Sequence, residues 1–380
     1  MNPPSTSLDA ASLRRALALR DLSDPGAGPH AMQLLLSELR RSLARAWPRA
    51  EQRLVRELPI VSPADNYDLL GYPLGGPARA PRYTRYLSPH ALLRTQTTAM
   101  VPRQLAALAR EPGWRDVVLL CPGLVYRRDA IDRHHVGEPH QLDLWRLSRE
   151  PLGAGALREL VELVCDALLP GAEWRLSPAQ HDYTEEGLQL DVASGEGWVE
   201  LLECGRAAPS LLERCGLDPR AVSGLALGVG LDRALMLRKG IGDIRLLRSD
   251  DPRVRAQLQD LAPYRPVAEH PSIRRDLSLA VDAERTPEEL GARVREALAG
   301  DMEQVESLEL LGECAPPELP PAACARLGLS AGQKNALVRV ILRHPTRALS
   351  PAEANALRDR IYAALHEGSV ASRAPRRGGR

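Results

Sequence analysis

The sequence predicts an α+β protein with two folded parts: a larger one on an antiparallel sheet and a smaller one of split βαβ type. Three observations carry this. Strand-like runs follow one another between residues 91 and 247 with one clear helix among them, which favours antiparallel pairing over regular strand–helix alternation. A proline-punctuated stretch then interrupts the chain at 248–272. Beyond it, alternating strands and well-capped helices follow each other up to residue 373.

The elements are justified in order. Residues 30–46 (HAMQLLLSELRRSLARA), flanked by Trp47, place apolar residues at helical spacing with arginines opposite, and read as one amphipathic helix. It falls in a segment, 1–59, expected to be a helical extension. Residues 56–90 are rich in Pro, Gly and Arg and read as extended loops. DVVLLCPGLVY (116–126), LQLDVA (188–193), WVELLECG (198–205) and GLALGVG (224–230) read as strands, and LRELVELVCDALL (157–169) as the helix among them. These form a domain over 60–247. After the expected linker, DLSLAVD (276–282) alternates as a strand, and Thr286-Pro-Glu-Glu289 opens a helix with a Thr cap, Pro in the first turn and Glu three residues after the cap. VESLELLG (305–312) and ALVRVILR (336–343) supply further strands, and Ser350-Pro-Ala-Glu353 repeats the capping pattern. Residues 273–373 thus read as a ferredoxin-like βαββαβ layout, with a basic tail at 374–380.

Composition excludes several classes. Charges cancel to +1, so any RNA contact comes from local patches and not from a whole-chain basic surface. Lys occurs only at 239 and 334, and Phe is absent; with Asn and Ile also scarce, this pattern reads as G/C-rich coding and carries no functional meaning. The six cysteines form no CxxC pair, so neither a zinc site nor a disulfide framework is expected. No apolar run approaches the ~20 residues of a membrane helix, and the N-terminus lacks a signal-peptide core, so a cytoplasmic protein away from membranes is expected.

Two segments carry the chemistry. GLALGVGLDRALML (224–237) is a glycine-rich strand turning into a helix. Gly224, Gly228 and Gly230 leave one face bare for a flat ligand, and Arg233 at the helix start suits phosphate or a base. GLVYRRDAIDRHHVGEPHQLDLWRL (123–147) is a hairpin with Arg127-Arg128-Asp129 at the end of one strand and Gln141 and Asp143 on the return. Arg127 is placed to stabilise charge developing on a phosphate. His134, His135 and His140 lack the partners that would make them a metal cluster.

The hairpin resembles motif 2 of class II aminoacyl-tRNA synthetases, and GLALGVGLDR resembles their motif 3. More narrowly, both resemble the phenylalanyl-tRNA synthetase α chain, whose hairpin reads YRRD, then a His, then FHQ. WVELLECG resembles that family's WLEV-GCG strand, LLRTQTT (92–98) its LLRTHTS, and DNYDLLGYP (65–73) the region leading to its active site. HPSIRRDLSLAVD and LSPAEANALRDRI resemble its ferredoxin-fold anticodon-binding domain, so the likeness covers residues 60–373 in order. Direct fusion of the two resembles the single-chain mitochondrial form. No stretch matches motif 1, and the first 60 residues match no tRNA-binding coiled coil.

The resemblance implies amino-acid activation by ATP and Mg2+, then transfer to tRNA, by a monomer or homodimer. Arg127 and Arg233 would be catalytic. Arg127, Asp129, His135, Gly230 and Arg233 would hold ATP, and Glu200 the magnesium ion. Thr97, Gln141, Asp143, His181, Tyr183, Ala226 and Gly228 would hold the amino acid, and Arg274, Arg275 and Arg373 the RNA.

The chain departs from the family at telling positions. The pocket segment FPFTEPSAEV is replaced by HDYTEEGLQL, residues 181–190, so His181 and Tyr183 stand where two phenylalanines are usual. Asp143 replaces Glu, Gln96 a His, Thr98 a Ser, Pro139 an adenine-stacking Phe, and Glu203 a Gly. If His181 and Tyr183 turn their polar atoms to the ligand, the pocket favours a polar ring; if they turn them to protein or water, phenylalanine still binds. Three functions therefore compete: a phenylalanyl-type ligase, a paralogue activating another amino acid or using another acceptor, and a non-catalytic amino-acid or RNA binder. Retention of both arginines favours the first.

Overall fold

A computed structural model describes residues 7–81, 83–128, 131–153, 155–195, 197–267 and 270–370. It divides into two compact units, Met1–Arg127 with Glu138–Arg265, and Arg128–Gly137 with Pro266–Arg380. No described helix is long and apolar enough to cross a membrane.

The first unit contains, in chain order, α1 (Ala10–Leu17), α2 (Ala31–Ala46), β1 (Glu51–Leu54), β2 (Ile60–Val61), β3 (Tyr86–Ser88), β4 (Ala91–Leu93), α3 (Val101–Arg110), β5 (Asp116–Leu124), β6 (His140–Ser148), α4 (Ala156–Leu168), β7 (Trp174–Pro178), β8 (Thr184–Ser194), β9 (Gly197–Ala207), α5 (Pro209–Arg214), β10 (Ser223–Gly230), α6 (Leu231–Lys239) and α7 (Pro252–Gln257). Seven strands form one sheet in the order β1-β5-β6-β10-β9-β8-β7, and β2, β4 and β3 form a small second sheet. β1 runs parallel to β5, and the other neighbours in the large sheet pair antiparallel. The β5 run is apolar throughout because residues 117–124 are all buried. On α2, Leu35, Leu36, Leu39 and Leu43 make the buried stripe that the helical period predicts. α2, α4 and α6 pack on one another. On the other face, Leu119, Cys121, Trp145 and Ala226 share a core with Leu105 and Leu108 of α3 and Leu211 and Leu212 of α5.

Two expected boundaries move. The segment 1–59 is no separate extension, because it supplies α2 and the edge strand β1 to this unit. Most of the stretch read as a linker also belongs here. Val254 and Leu258 are buried, the Ala31 amide donates to the Leu258 carbonyl at 2.7 Å, and the Lys239 ammonium donates to Asp260 Oδ1 at 3.1 Å. Its prolines mark turns and a capped first helical turn: Asp251 caps α7 and Pro252 opens it.

The second unit contains β11 (Ile273–Asp282), α8 (Pro287–Leu298), β12 (Val305–Cys314), α9 (Pro321–Leu327), β13 (Gln333–Leu342) and α10 (Pro351–Leu365). Its sheet has the order β11-β13-β12, antiparallel throughout. Thr286 with Glu289 and Ser350 with Glu353 form complete capping boxes, satisfying donors the first helical turn leaves open. Leu279, Val281, Val294, Val338, Val340 and Ile361 lie in the core, which Ile131 joins. Four strands were expected, and the described residues form three. The chain beyond α10 instead runs beside β11, with the Glu367 amide donating to the Ala280 carbonyl at 2.8 Å.

Candidate active site

Strand register builds the site. Residues directly opposed across antiparallel neighbours share a face. One row runs Cys121, Asp143, Gly228, Glu203, Gln189 across β5, β6, β10, β9 and β8. The next row toward the strand ends is Gly123, Gln141, Gly230, and the row behind is Leu119, Trp145, Ala226, Gly205. Gly228 and Gly230 therefore bare a strip of backbone between two carboxylates. β5 and β10 run in the same direction and end at one edge of the sheet. Arg127 and Arg233 follow within four residues of Gly123 and three of Gly230, so both leave from that edge.

Each polar group has a physical anchor. Asp143 is buried; its Oδ2 accepts from the Thr97 and Thr98 hydroxyls at 2.9 and 3.0 Å, and its Oδ1 from the Trp145 indole N–H at 3.1 Å. Burial pushes its pKa above the ordinary carboxylate range despite these donors. Glu203 faces His181, with Oε2 and Nε2 3.0 Å apart. That hydrogen bond raises the histidine above its ordinary value and lowers the glutamate below its own. Arg127 also pulls Glu203 down, which ties it electrostatically to this row.

A bulge brings in Glu200. In the β8–β9 register Leu190 opposes Leu202, but Asp191 opposes Glu200, leaving Leu201 as the extra residue. The insertion resets the alternation, so Glu200 shares the face of Glu203. Arg233 donates to the Glu200 carbonyl at 2.7 Å and lies 3.8 Å from its Oε1. The helix start carrying Arg233 is itself pinned. Asp232 is buried and accepts from the backbone N–H and Nδ1 of His140, also buried. The Leu22 amide donates to His140 Nε2 at 2.9 Å, so that nitrogen carries a lone pair and Nδ1 holds the proton. Burial pushes Asp232 up, but His140 and Arg248 outweigh it and hold the carboxyl below its ordinary value.

An aromatic wall flanks the strip. Tyr183 lies 5.3 Å from His181, 6.2 Å from Trp145 and 6.4 Å from Tyr72, centroid to centroid. Tyr72 continues to Tyr67 at 5.7 Å, edge to face. Among the described residues no group of three His, Cys, Asp or Glu side chains is placed to hold a metal ion.

A family model described as tRNA synthetases class II core domain (F) matches residues 30–258. The chain belongs to this family. The match begins at α2, which places α2 and β1 inside the class II core. The phenylalanine–tRNA ligase alpha subunit of Clostridium perfringens (strain ATCC 13124) is 32% identical over 201 residues, covering 50% of this chain and 58% of that protein. The alpha subunit of Prochlorococcus marinus (strain MIT 9313) is 37% identical over 188 residues, covering 50% and 54%. The chain thus spans little more than half the length of these curated relatives. Among solved structures, pyrrolysyl-tRNA synthetase from Desulfitobacterium hafniense aligns with a TM-score of 0.46 at 20% identity, covering 58% of this chain and 74% of that one.

In this class II core, Arg127, Arg233, Gly228, Gly230, Glu200, Gln141, Asp143, Thr97, His181, Tyr183 and Ala226 all lie in the first unit, on or beside the strip just described. His135 belongs to the 128–137 segment of the second unit, where its Nδ1 lies 2.8 Å from Asp132 Oδ2. Asp143, expected to face the amino acid, is buried and already accepts three hydrogen bonds from the protein. Asp129 and Arg373 lie outside the described residues. Arg274 and Arg275 sit at the start of β11; Arg274 is exposed, and Arg275 donates to Asn355 Oδ1 at 3.2 Å. The sequence reading missed the roles of Glu203, Asp232, His140 and Tyr72. Glu203 had a signal, its replacement of an expected glycine, whereas the His140–Asp232 pair joins residues 92 positions apart and had none.

Proposed function

We propose that the chain is an ATP-dependent aminoacyl-tRNA ligase of the phenylalanyl type. The observation that carries this reading is the emergence of Arg127 and Arg233 from one sheet edge, over a backbone strip bared by Gly228 and Gly230. Two guanidiniums leaving the same end of the sheet suit a polyphosphate held in line with a carboxylate lying on the strip. The phenylalanine–tRNA ligase relatives support the same assignment.

The reaction follows from this placement. An amino-acid carboxylate oxygen bonds to the α-phosphorus of ATP, the bond to the bridging oxygen breaks, and pyrophosphate leaves with that electron pair. Arg127 neutralises charge growing on the α-phosphate, and Arg233 holds the departing phosphates. The acyl group then passes to a tRNA 3′-terminal hydroxyl and AMP departs. Glu200 offers an exposed hard-oxygen ligand beside Arg233. This fits magnesium, which needs only one or two carboxylates besides phosphates and water and neutralises phosphate charge when bound.

The second unit is read as a ferredoxin-like anticodon-binding domain, with Arg274 and Arg275 toward RNA. Its β11-β13-β12 order, with α8 following β11 and α10 following β13, supports that layout. Amino-acid-dependent ATP–pyrophosphate exchange tests the ligase reading, followed by charging of tRNA. Arg233→Ala should reduce exchange by at least about 10²-fold. Exchange with no amino acid, with tRNA also supplied, overturns it.

A further inference from the structure

The two carboxylates that flank Gly228 are not equivalent. Asp143 has given both oxygens to Thr97, Thr98 and Trp145. Glu203 is bound through Oε2 to His181, and the pair keeps part of its surface open, with side chains 37% and 19% exposed. The pair stands against the aromatic wall, since the His181 ring is 5.3 Å from Tyr183. Ala226 and Gly228 keep the adjoining floor low.

A ligand seated on this floor strips water from the His181–Glu203 pair. A purely hydrocarbon ring returns nothing for that lost hydration. A ring carrying a hydroxyl or amine does, because the carboxylate of Glu203 accepts a hydrogen bond from it. Half-buried Tyr183 and Tyr72 supply flat surfaces that favour a ring over an aliphatic chain, and fully buried Trp145 backs Tyr183 from the core.

We propose that His181 and Glu203 are specificity determinants that select an aromatic amino acid whose ring carries a hydrogen-bond donor, a phenol or an aniline, over phenylalanine. The proposal rests on the ligase reading for the identity of the strip as an amino-acid site.

The test is calorimetric binding to the full chain of phenylalanine, tyrosine, 3-hydroxyphenylalanine and 4-aminophenylalanine, with exchange assayed in parallel. At least one donor-bearing ring should bind on the order of 10- to 100-fold tighter than phenylalanine, the range for a hydrogen bond to a charged group. Glu203→Gln should erase most of that preference, and His181→Phe with Glu203→Gly should reverse it in favour of phenylalanine. Both residues are partly exposed, so these variants should fold, which circular dichroism checks. Phenylalanine binding as tightly as every donor-bearing ring, or a preference unchanged in both variants, overturns the proposal. If phenylalanine then supports exchange, the ligase reading survives alone. Binding of none of the four also overturns the proposal, and absence of exchange with any amino acid removes the ligase reading with it.

Discussion

Gly228→Ala separates what the glycine strand does for folding from what it does for a ligand. A Cβ built at Gly228 meets only Asp143 Oδ2, at 4.0 Å, which is ordinary contact, and the backbone there lies outside the left-handed region. The folded state therefore accepts the methyl group. The unfolded chain loses freedom, which stabilises the protein by about 0.4–1 kcal/mol. For a unit of this size that raises Tm by roughly 1–4 °C. The ligand meets the opposite effect. The new Cβ stands about 1.5 Å off the strand. A group lying on the strip is displaced by a similar distance, and a misplacement of about 1 Å costs on the order of 10²-fold in rate. ATP–pyrophosphate exchange should show kcat/KM for the amino acid falling by that factor while calorimetry shows Tm unchanged or raised. Gly205→Ala supplies the contrast. Its Cβ would lie 2.7 Å from Thr184 Cβ and 2.9 Å from the Glu185 carbonyl oxygen, so it should cost about 1–3 kcal/mol of stability. Exchange by Gly228→Ala within about twofold of wild type would refute the reasoning, because no ligand could then lie on the strip.

Asp232→Ala should leave the two buried His140 donors without an acceptor and destabilise the first unit by about 2–5 kcal/mol, read as a lower denaturation midpoint. A loss under about 1 kcal/mol would show that water replaces the carboxylate. The His181–Glu203 pair predicts a pH window. The histidine's folded pKa is raised above 6.5 by the glutamate, so its contribution is complete below 6.5 and is lost as pH rises through the folded value. The glutamate's folded pKa is lowered below 4.5 by the histidine, so its contribution is present above 4.5 and is lost as pH falls through the folded value. The pair therefore stabilises most between 4.5 and 6.5. An NMR titration should place His181 above 6.5, and Glu203→Gln should move it back toward that value; a wild-type pKa at or below 6.5 contradicts the pairing.

Most strands of the larger sheet were legible because burial on both faces writes apolar runs into β5 and β10, and the capping boxes at Thr286 and Ser350 are local patterns. β1 was not, since EQRL is a four-residue edge strand with no buried residue and no alternation to detect. The proline-rich stretch after 248 read as a linker because prolines at capped helix starts look the same in sequence as prolines in loose chain. At the site, Arg127, Arg233, Gly228 and Gly230 were legible from residue type and spacing. The reach of Glu200 was not, because it depends on the bulge at Leu201, a register shift visible only when β8 and β9 are paired.

The pair of carboxylates around Gly228 shows how one methylene redistributes roles. Asp143 is short, and its oxygens stay level with the hydroxyls of Thr97 and Thr98 and with the indole of Trp145, which is two residues on and therefore on the same face. A buried carboxylate with three donors is a structural brace, and burial further disfavours its charge. Glu203, across the glycine and one methylene longer, reaches past the backbone to His181 and stays partly open. Of the two, the partly open carboxylate of this row lies on β9 and the buried one on β6. Replacing that glutamate by glycine would leave this row with no open carboxylate and would also remove the hydrogen-bond partner of His181, so the two residues act as one coupled unit.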